Sequence, residues 1–371
     1  MNEAYTPEDL KATHDGLKWS QAGPGVIPAW VADMDLPTAP EVVEALRRRA
    51  AGDLGYPSWL TEPGAGPLAE AFAERMAGRY GWQADPSLVR SFNDLNQALQ
   101  VFLQVWTRPG DGVAVHVPAY HPFLGTLDLM KRPLRPIRME PEGDSWRFDP
   151  PDLSDCRVLL LVNPHNPTGR VFTREELTVL AEQAERHDLL VIADEIHADL
   201  TFEPHRHIPF ATILPERTVT LTSATKAFNL GGIRCSVAHV GHPGVREALA
   251  AQPPFVYGSA NLFGVEATVA AWRHGDAWLE NTRALLDRNR RTIAARLPDT
   301  IGYRVPEATY LAWLHVGRPG MAEVYEREAR VLLNDGAAFG PGGEPYVRLN
   351  FATTEPILAE ILDRLARAGI A

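Results

Sequence analysis

An α/β architecture, with a mostly parallel sheet flanked by helices and a smaller α+β unit after it, is what this sequence predicts. Three observations carry the prediction. Short apolar runs rich in β-branched residues recur through the middle of the 371-residue chain. An amphipathic helical pattern separates two of these runs, as in a β-α-β unit, which implies parallel strands with helices on the sheet faces. Near residue 270 the pattern changes to a long helix followed by short strand-like runs.

Taken in order, the first clear element is "APEVVEALRRR", a helix expected to open on a capping box of Thr38 and Glu41 and to end on the basic cluster 47–49, where cations suit the helix dipole. Strands follow at "GVAVHV" (112–117), "RVLLLV" (157–162), "LLVIAD" (189–194), "TVTLTS" (218–223) and "CSVAHV" (235–240). Between the second and third of these lies "TREELTVLAEQAERHD". There Thr173 and Glu176 have capping-box spacing, and Leu177, Leu180, Ala181 and Ala184 form one apolar stripe. The tail reads as a long helix in "GDAWLENTRALLDRNRRTIAARL", strands in "TYLAWLHV" and "YVRLNFAT", and a last helix in "EPILAEILDRLARAG".

Composition narrows the function classes. Hydrophobic residues make up 45% and charged residues 22%, an ordinary globular balance. The net charge of -11 without long basic runs argues against nucleic acid as the main partner. No apolar run approaches the roughly 18 residues of a membrane span, and the polar, acidic start is not a signal peptide. Cys156 and Cys235 are expected to be buried free thiols, as in a reducing compartment. Together these features lead us to expect a soluble cytoplasmic protein.

In open α/β sheets, ligands bind where strands end and loops begin. After "RVLLLV" comes "NPHNPTGR", after "LLVIA" comes "DEIH", after "TVTLT" comes "SATK", and after "GVAVHV" comes "PAYHPF". An Asn-rich turn, an acid with a nearby His, a lone Lys and an aromatic thus stand at four strand ends. Together they suit a heteroaromatic cofactor bearing an aldehyde and a phosphate. Asp194 can act as counter-ion to a cationic ring nitrogen, which makes the ring an electron sink. Asn166 can hold a ring hydroxyl, Tyr120 can stack on the ring, and His197 lies one helical turn beyond Asp194. Ser223 and Thr225 offer hydroxyls to a phosphate and Arg234 offers a fork of charged donors. Lys226, with no charged neighbour until Arg234, is the candidate amine for the aldehyde. Each residue alone has a structural reading: a helix cap, a core histidine, a half-buried aromatic or a surface lysine. A metal site at His197, His205 and His207 fits no familiar zinc spacing. Glu195 is read as structural.

In this order, "NPHNPTG", "DEIH" and "SATK" resemble the fold-type I pyridoxal-phosphate enzymes, the aspartate aminotransferase superfamily. "WVADMD" (30–35), "HIPFATI", "TSATKAFNLGGIRC", "ATYLAWL", "LLNDGAAFG" and "YVRLNFAT" resemble its carbon–sulfur β-lyase branch, which includes aminotransferase-like cystathionine β-lyases. The resemblance runs from residue 17 to 371. It implies pyridoxal 5'-phosphate as cofactor, with Lys226 carrying the aldehyde as a Schiff base and moving the substrate's Cα proton. Asp194 would pair with the ring nitrogen, Asn166 and His197 would lie near the ring hydroxyl, and Tyr120 would stack on the ring. Ser223 and Arg234 would bind the phosphate, and Arg348 in "YVRLN" would grip the substrate α-carboxylate. Tyr56 in "LGYPSW" would reach the cofactor of the neighbouring subunit, so a homodimer is expected. The implied division is a large cofactor-binding domain over 45–270 and a small domain of 1–44 with 271–371.

The chain departs from the branch in two places. The helix expected at about 94–105 is normally preceded by a Gly-rich turn whose N–H groups meet the phosphate; here the segment reads "SFNDLNQAL". Asp94 stands where a glycine is expected, followed by Leu95 and Asn96. A helix N-terminus can still donate to an anion, but the Asp94 carboxylate would repel a phosphate unless it turns to cap the helix. "GYPSWLTEPGAG" also differs from the branch pattern. The expected reaction is β-elimination on L-cystathionine or another cysteine S-conjugate, giving thiol, pyruvate and ammonia. Transamination, or decarboxylating deamination of a specialised S-cysteinyl conjugate, is the alternative on the same fold. A cofactor-sensing transcription regulator, which would carry a DNA-binding module before "WVADMD", is not expected from this acidic chain.

Overall fold

A computed structural model describes residues 5–61, 66–149, 151–253 and 256–368. Its centre is a seven-stranded sheet. In chain order the strands are β1 (Val89–Phe92), β2 (Gly112–Val117), β3 (Leu134–Arg138), β4 (Cys156–Val162), β5 (Leu190–Asp194), β6 (Thr218–Thr222) and β7 (Ser236–Val240). Their order across the sheet is β1-β7-β6-β5-β4-β2-β3. The five strands from β6 to β3 are parallel, and on the other side β7 runs antiparallel to both of its neighbours, β6 and β1. All five expected strands form, within a residue of the expected ends. The two additional strands, β1 and β3, are the sheet's edges.

A second sheet follows in the tail: β8 (Gly302–Tyr303), β9 (Leu311–His315), β10 (Asn334–Asp335) and β11 (Tyr346–Asn350), ordered β8-β9-β11-β10 and wholly antiparallel. The main helices are α1 (Pro40–Ala50), α2 (Pro67–Tyr80), α3 (Leu95–Trp106), α4 (His121–Leu129), α5 (Arg174–Arg186), α6 (Pro243–Ala250), α7 (Leu262–His274), α8 (Asp276–Arg296) and α9 (Glu355–Arg367).

The central strands are buried almost throughout because both faces are covered. Val158, Leu160 and Val162 of β4 face a core shared with Leu99 and Phe102 of α3 and Phe123 of α4. Leu159 and Leu161 face the opposite core with Leu177, Leu180, Ala181 and Ala184 of α5, the stripe expected from the sequence. A third core joins α1, α2, α7, α8 and α9 to the small sheet.

At the helix ends the chemistry is local. Thr173 caps α5 in a full capping box with Glu176. The box expected at Thr38 and Glu41 does not form: the cap residue of α1 is Ala39, without a side-chain bond, and Pro40 starts the helix. Proline at the first turn sets the start because its missing N–H would be unpaired there in any case. Cys235 is buried, whereas Cys156 at the start of β4 is only half-buried, and both are free. Among the described residues no helix is long and apolar enough to cross a membrane. The departure at "GYPSWLTEPGAG" includes residues 62–65, which lie outside the described residues.

Candidate active site

The ends of β2, β4, β5 and β6 point their following loops into one cavity of about 340 Å³. Asp194 is the last residue of β5, and Ser223 follows β6 directly. Asn166 sits in the turn after β4, and Tyr120 precedes the first residue of α4. Asp94, Leu95, Asn96, His197, Thr225, Lys226, Arg234 and Arg348 line the same cavity. Of the residues expected at the cofactor or substrate, Tyr56 alone is elsewhere: it is 95% exposed and does not line the cavity.

Lys226 is the cavity's one lysine. The chain has only three others, Lys11, Lys18 and Lys131, and Lys18 is locked in a buried pair with Asp35 at 2.7 Å. The Lys226 Nζ donates to the carbonyl of Ala32 at 2.9 Å. Burial lowers its pKa, opposed in part by the Asp33 carboxylate, while Arg348 pushes it down further. A larger fraction of free amine at neutral pH is what a nucleophilic lysine needs.

Asp194 is buried with one backbone partner, the N–H of Ile196 at 3.1 Å from Oδ1. Burial pushes its pKa up to about 7, and the neighbouring Glu195 adds to the rise. A carboxylate in that setting is stabilised by any cation placed beside it. Glu195 itself serves the fold: Oε1 accepts from the N–H of Phe210 at 2.8 Å, and Oε2 lies 3.1 Å from His207. His197 is buried, and its Nδ1 has no partner. Burial drives its pKa down to about 3, with Lys226 and Arg348 acting in the same direction, so the ring is neutral.

Arg348 is on β11, the central strand that pairs with both β9 and β10 of the small sheet, where its cross-strand neighbours are Trp313 and Asn334. Nη1 donates to Asn166 Oδ1 at 3.1 Å. Nη2 donates to Asn334 Oδ1 at 2.7 Å and to the Trp30 carbonyl at 3.1 Å. The guanidinium lies 4.9 Å from the Phe339 ring centroid, and Nε has no partner. Burial lowers its pKa to about 10, which leaves it a cation at neutral pH. Its position joins the small sheet to the Asn-rich turn after β4.

The wall opposite the strand ends is backbone. Side chains from distant elements hold four successive carbonyls. Trp30 accepts from Arg348 at 3.1 Å, Val31 from Asn350 at 2.6 Å, Ala32 from Lys226 at 2.9 Å and Tyr310 at 2.8 Å, and Asp33 from Asn350 at 2.7 Å. Asn229, three residues beyond Lys226 and in the left-handed region at φ 57, exchanges hydrogen bonds with the backbone of Met34. Sequence reasoning found the "WVADMD" motif without these roles and gave none to Asn229, Tyr310, Asn334 or Asn350. Each of these four falls inside a stretch that carries the family resemblance ("TSATKAFNLGGIRC", "ATYLAWL", "LLNDGAAFG" and "YVRLNFAT"), and that was the signal that could have found them.

At the far corner stand Ser223, Thr225, Arg234 and the start of α3. The Ser223 hydroxyl donates to the Cys235 carbonyl at 2.6 Å and accepts from the N–H of Thr225 at 3.1 Å. Asp94 caps α3, with Oδ1 accepting from the N–H of Gln97 at 2.8 Å, while Oδ2 forms an ion pair with Arg234. The first N–H groups of a helix have no intrahelical partner and favour an anion.

These open valences fit the cofactor that the sequence resemblance implies. The unpartnered Nδ1 of His197 suits a ring hydroxyl, the buried Asp194 suits a ring cation, Lys226 suits an aldehyde, and the Arg234 corner suits a phosphate. Asp194 and His197 stand at the end of β5 and Lys226 just beyond the end of the adjacent β6, all lining one cavity, so one planar ligand can reach them together.

Comparison with known proteins gives the same direction. Residues 31–365 match the aminotransferase class I and II family. The cystathionine beta-lyase PatB of Bacillus subtilis is 32% identical over 95% of this chain and 96% of its own. The solved structure of OvoB superposes with a TM-score of 0.89 at 32% identity, covering 96% of each chain. The PLP-bound C-S lyase from Staphylococcus hominis superposes with a TM-score of 0.87 at 27% identity, over 93% of this chain and 92% of that one.

Proposed function

Because the chain belongs to the class I and II aminotransferase family, we propose that it is a pyridoxal-phosphate-dependent carbon–sulfur β-lyase that splits L-cystathionine or another cysteine S-conjugate into thiol, pyruvate and ammonia. The observation that carries this reading is the single cavity lysine, Lys226, with a lowered pKa, beside a buried carboxyl at Asp194. When bound, the cofactor supplies an electron sink for negative charge at the substrate's Cα.

The chain's own groups do the rest. Arg348 pairs with the substrate α-carboxylate and so fixes which Cα bond faces the ring. Asp194, ionised, would hold the ring nitrogen in its cationic form. Tyr120 would pack on one ring face, and Asn166 and His197 would hold the ring hydroxyl. Leu95, Asn96, Ser223, Thr225 and Arg234 would hold the phosphate. The Lys226 amine takes the proton from Cα, the pair from that bond becomes the Cα–Cβ double bond, and a thiolate leaves Cβ. The released enamine tautomerises and hydrolyses to pyruvate and ammonia.

We place the functional unit as a homodimer in the cytoplasm. Tyr56, exposed in the single chain, supports a role at the neighbouring subunit's site. The free thiols of Cys156 and Cys235 support a reducing compartment. We further propose that residues 45–270 form the cofactor-binding domain and 1–44 with 271–371 the smaller one.

Borohydride reduction of the cofactor-loaded protein tests the site directly. With lysines at only 11, 18, 131 and 226, peptide mass spectrometry should find one pyridoxyl adduct, on Lys226. Labelling of another lysine, or of none, would contradict the proposal.

A further inference from the structure

Among the described residues, Asp94 is the one acid lining the corner of the cavity that offers charged and hydroxyl donors, and it is doubly engaged. One oxygen caps α3 through Gln97 and the other pairs with Arg234. Arg234 stands in the left-handed region at φ 58, directly after the short helical turn Gly231–Ile233. The Ser223 hydroxyl hydrogen is already committed to the Cys235 carbonyl at 2.6 Å. A dianion at this corner therefore shares its guanidinium partner with a carboxylate fixed on the same wall.

We propose that Asp94 sets the affinity for the anionic end of the cofactor, by competing with the phosphate for Arg234 and by repelling it. The inference rests on the cofactor reading above. The helix start and Arg234 attract the phosphate, and the Asp94 charge subtracts from that attraction. Asp94 cannot move away without giving up the cap of α3, so the opposition is built into the wall. A neutral residue that keeps the cap should bind the cofactor more tightly.

The test is Asp94→Asn, which retains an acceptor for the Gln97 N–H, since Asn and Asp cap helices about equally well. Affinities for pyridoxal phosphate and for pyridoxal, which lacks the phosphate, are measured by spectroscopic titration of protein from which the cofactor has been removed. For a unit and a double like charge roughly 6 Å apart in water-like surroundings, Coulomb's law predicts pyridoxal phosphate binding about tenfold tighter in the variant. Pyridoxal binding should be unchanged. Asp94→Ser, a second neutral cap, should behave the same way and covers the case in which Asp94→Asn does not fold. Equal phosphate affinity in all three proteins, or an equal gain for both ligands, would overturn the inference. Failure of the unaltered protein to bind pyridoxal phosphate at all would instead overturn the cofactor reading.

Discussion

Asp194 and Arg348 show how burial sets function at the scale of single residues. The folded-state pKa of Asp194 is raised from 3.8 to about 7, chiefly by burial. A raised carboxyl means that the folded protein binds a proton the unfolded chain has lost. Its contribution to stability is therefore full below about pH 4 and disappears as pH rises through about 7. With the cofactor removed, the melting temperature should fall over that window more steeply than in Asp194→Asn; parallel curves for the two proteins would be evidence against the burial argument. Arg348 is tied to Asn166 and Asn334 as well as to backbone. Arg348→Lys keeps the charge but loses the fork, so kcat/KM for amino-acid substrates should drop on the order of 100-fold. A variant within twofold of the parent would remove Arg348 from substrate binding. The polar side chains at strand ends were legible in the sequence because each follows an apolar run. The carbonyls of 30–33 were not, because an acceptor supplied by backbone has no residue identity to read, and Asn334 was not, because it sits in a two-residue strand with no long apolar run before it.

At the scale of elements, the central strands were legible and the edges were not. β4 and β5 are continuous apolar runs because both faces are buried, and no other reading suits runs of that length. β3 reads "LRPIR" and β1 "VRSF". Proline and arginine are tolerated there because an edge strand leaves one side free of the ladder. The same local logic explains the two capping boxes. Thr173 both accepts from and is answered by Glu176, whereas Pro40 places the start of α1 beyond the reach of Thr38. Thr173→Ala should cost about 1 kcal/mol of stability by chemical denaturation and leave turnover unchanged, since α5 lies on the sheet face away from α3 and α4.

For the whole molecule, the small sheet completes the site, because Arg348 and Asn334 come from it while Lys226 and Asp194 come from the large sheet. The proposed dimer adds Tyr56. Co-expression of Lys226→Ala with Tyr56→Ala should restore part of the activity that each lacks alone, since mixed dimers would hold one site with both residues intact. No restoration, with mixed dimers present, would remove Tyr56 from the partner's site. The fate of the substrate decides the central claim, because elimination and transamination share the proposed removal of the Cα proton by Lys226 and differ only afterwards. Mass spectrometry of the products from L-cystathionine and S-alkylcysteines is the direct measurement. Elimination predicts thiol, pyruvate and ammonia in equal amounts, and a keto acid that retains its sulfur would contradict it.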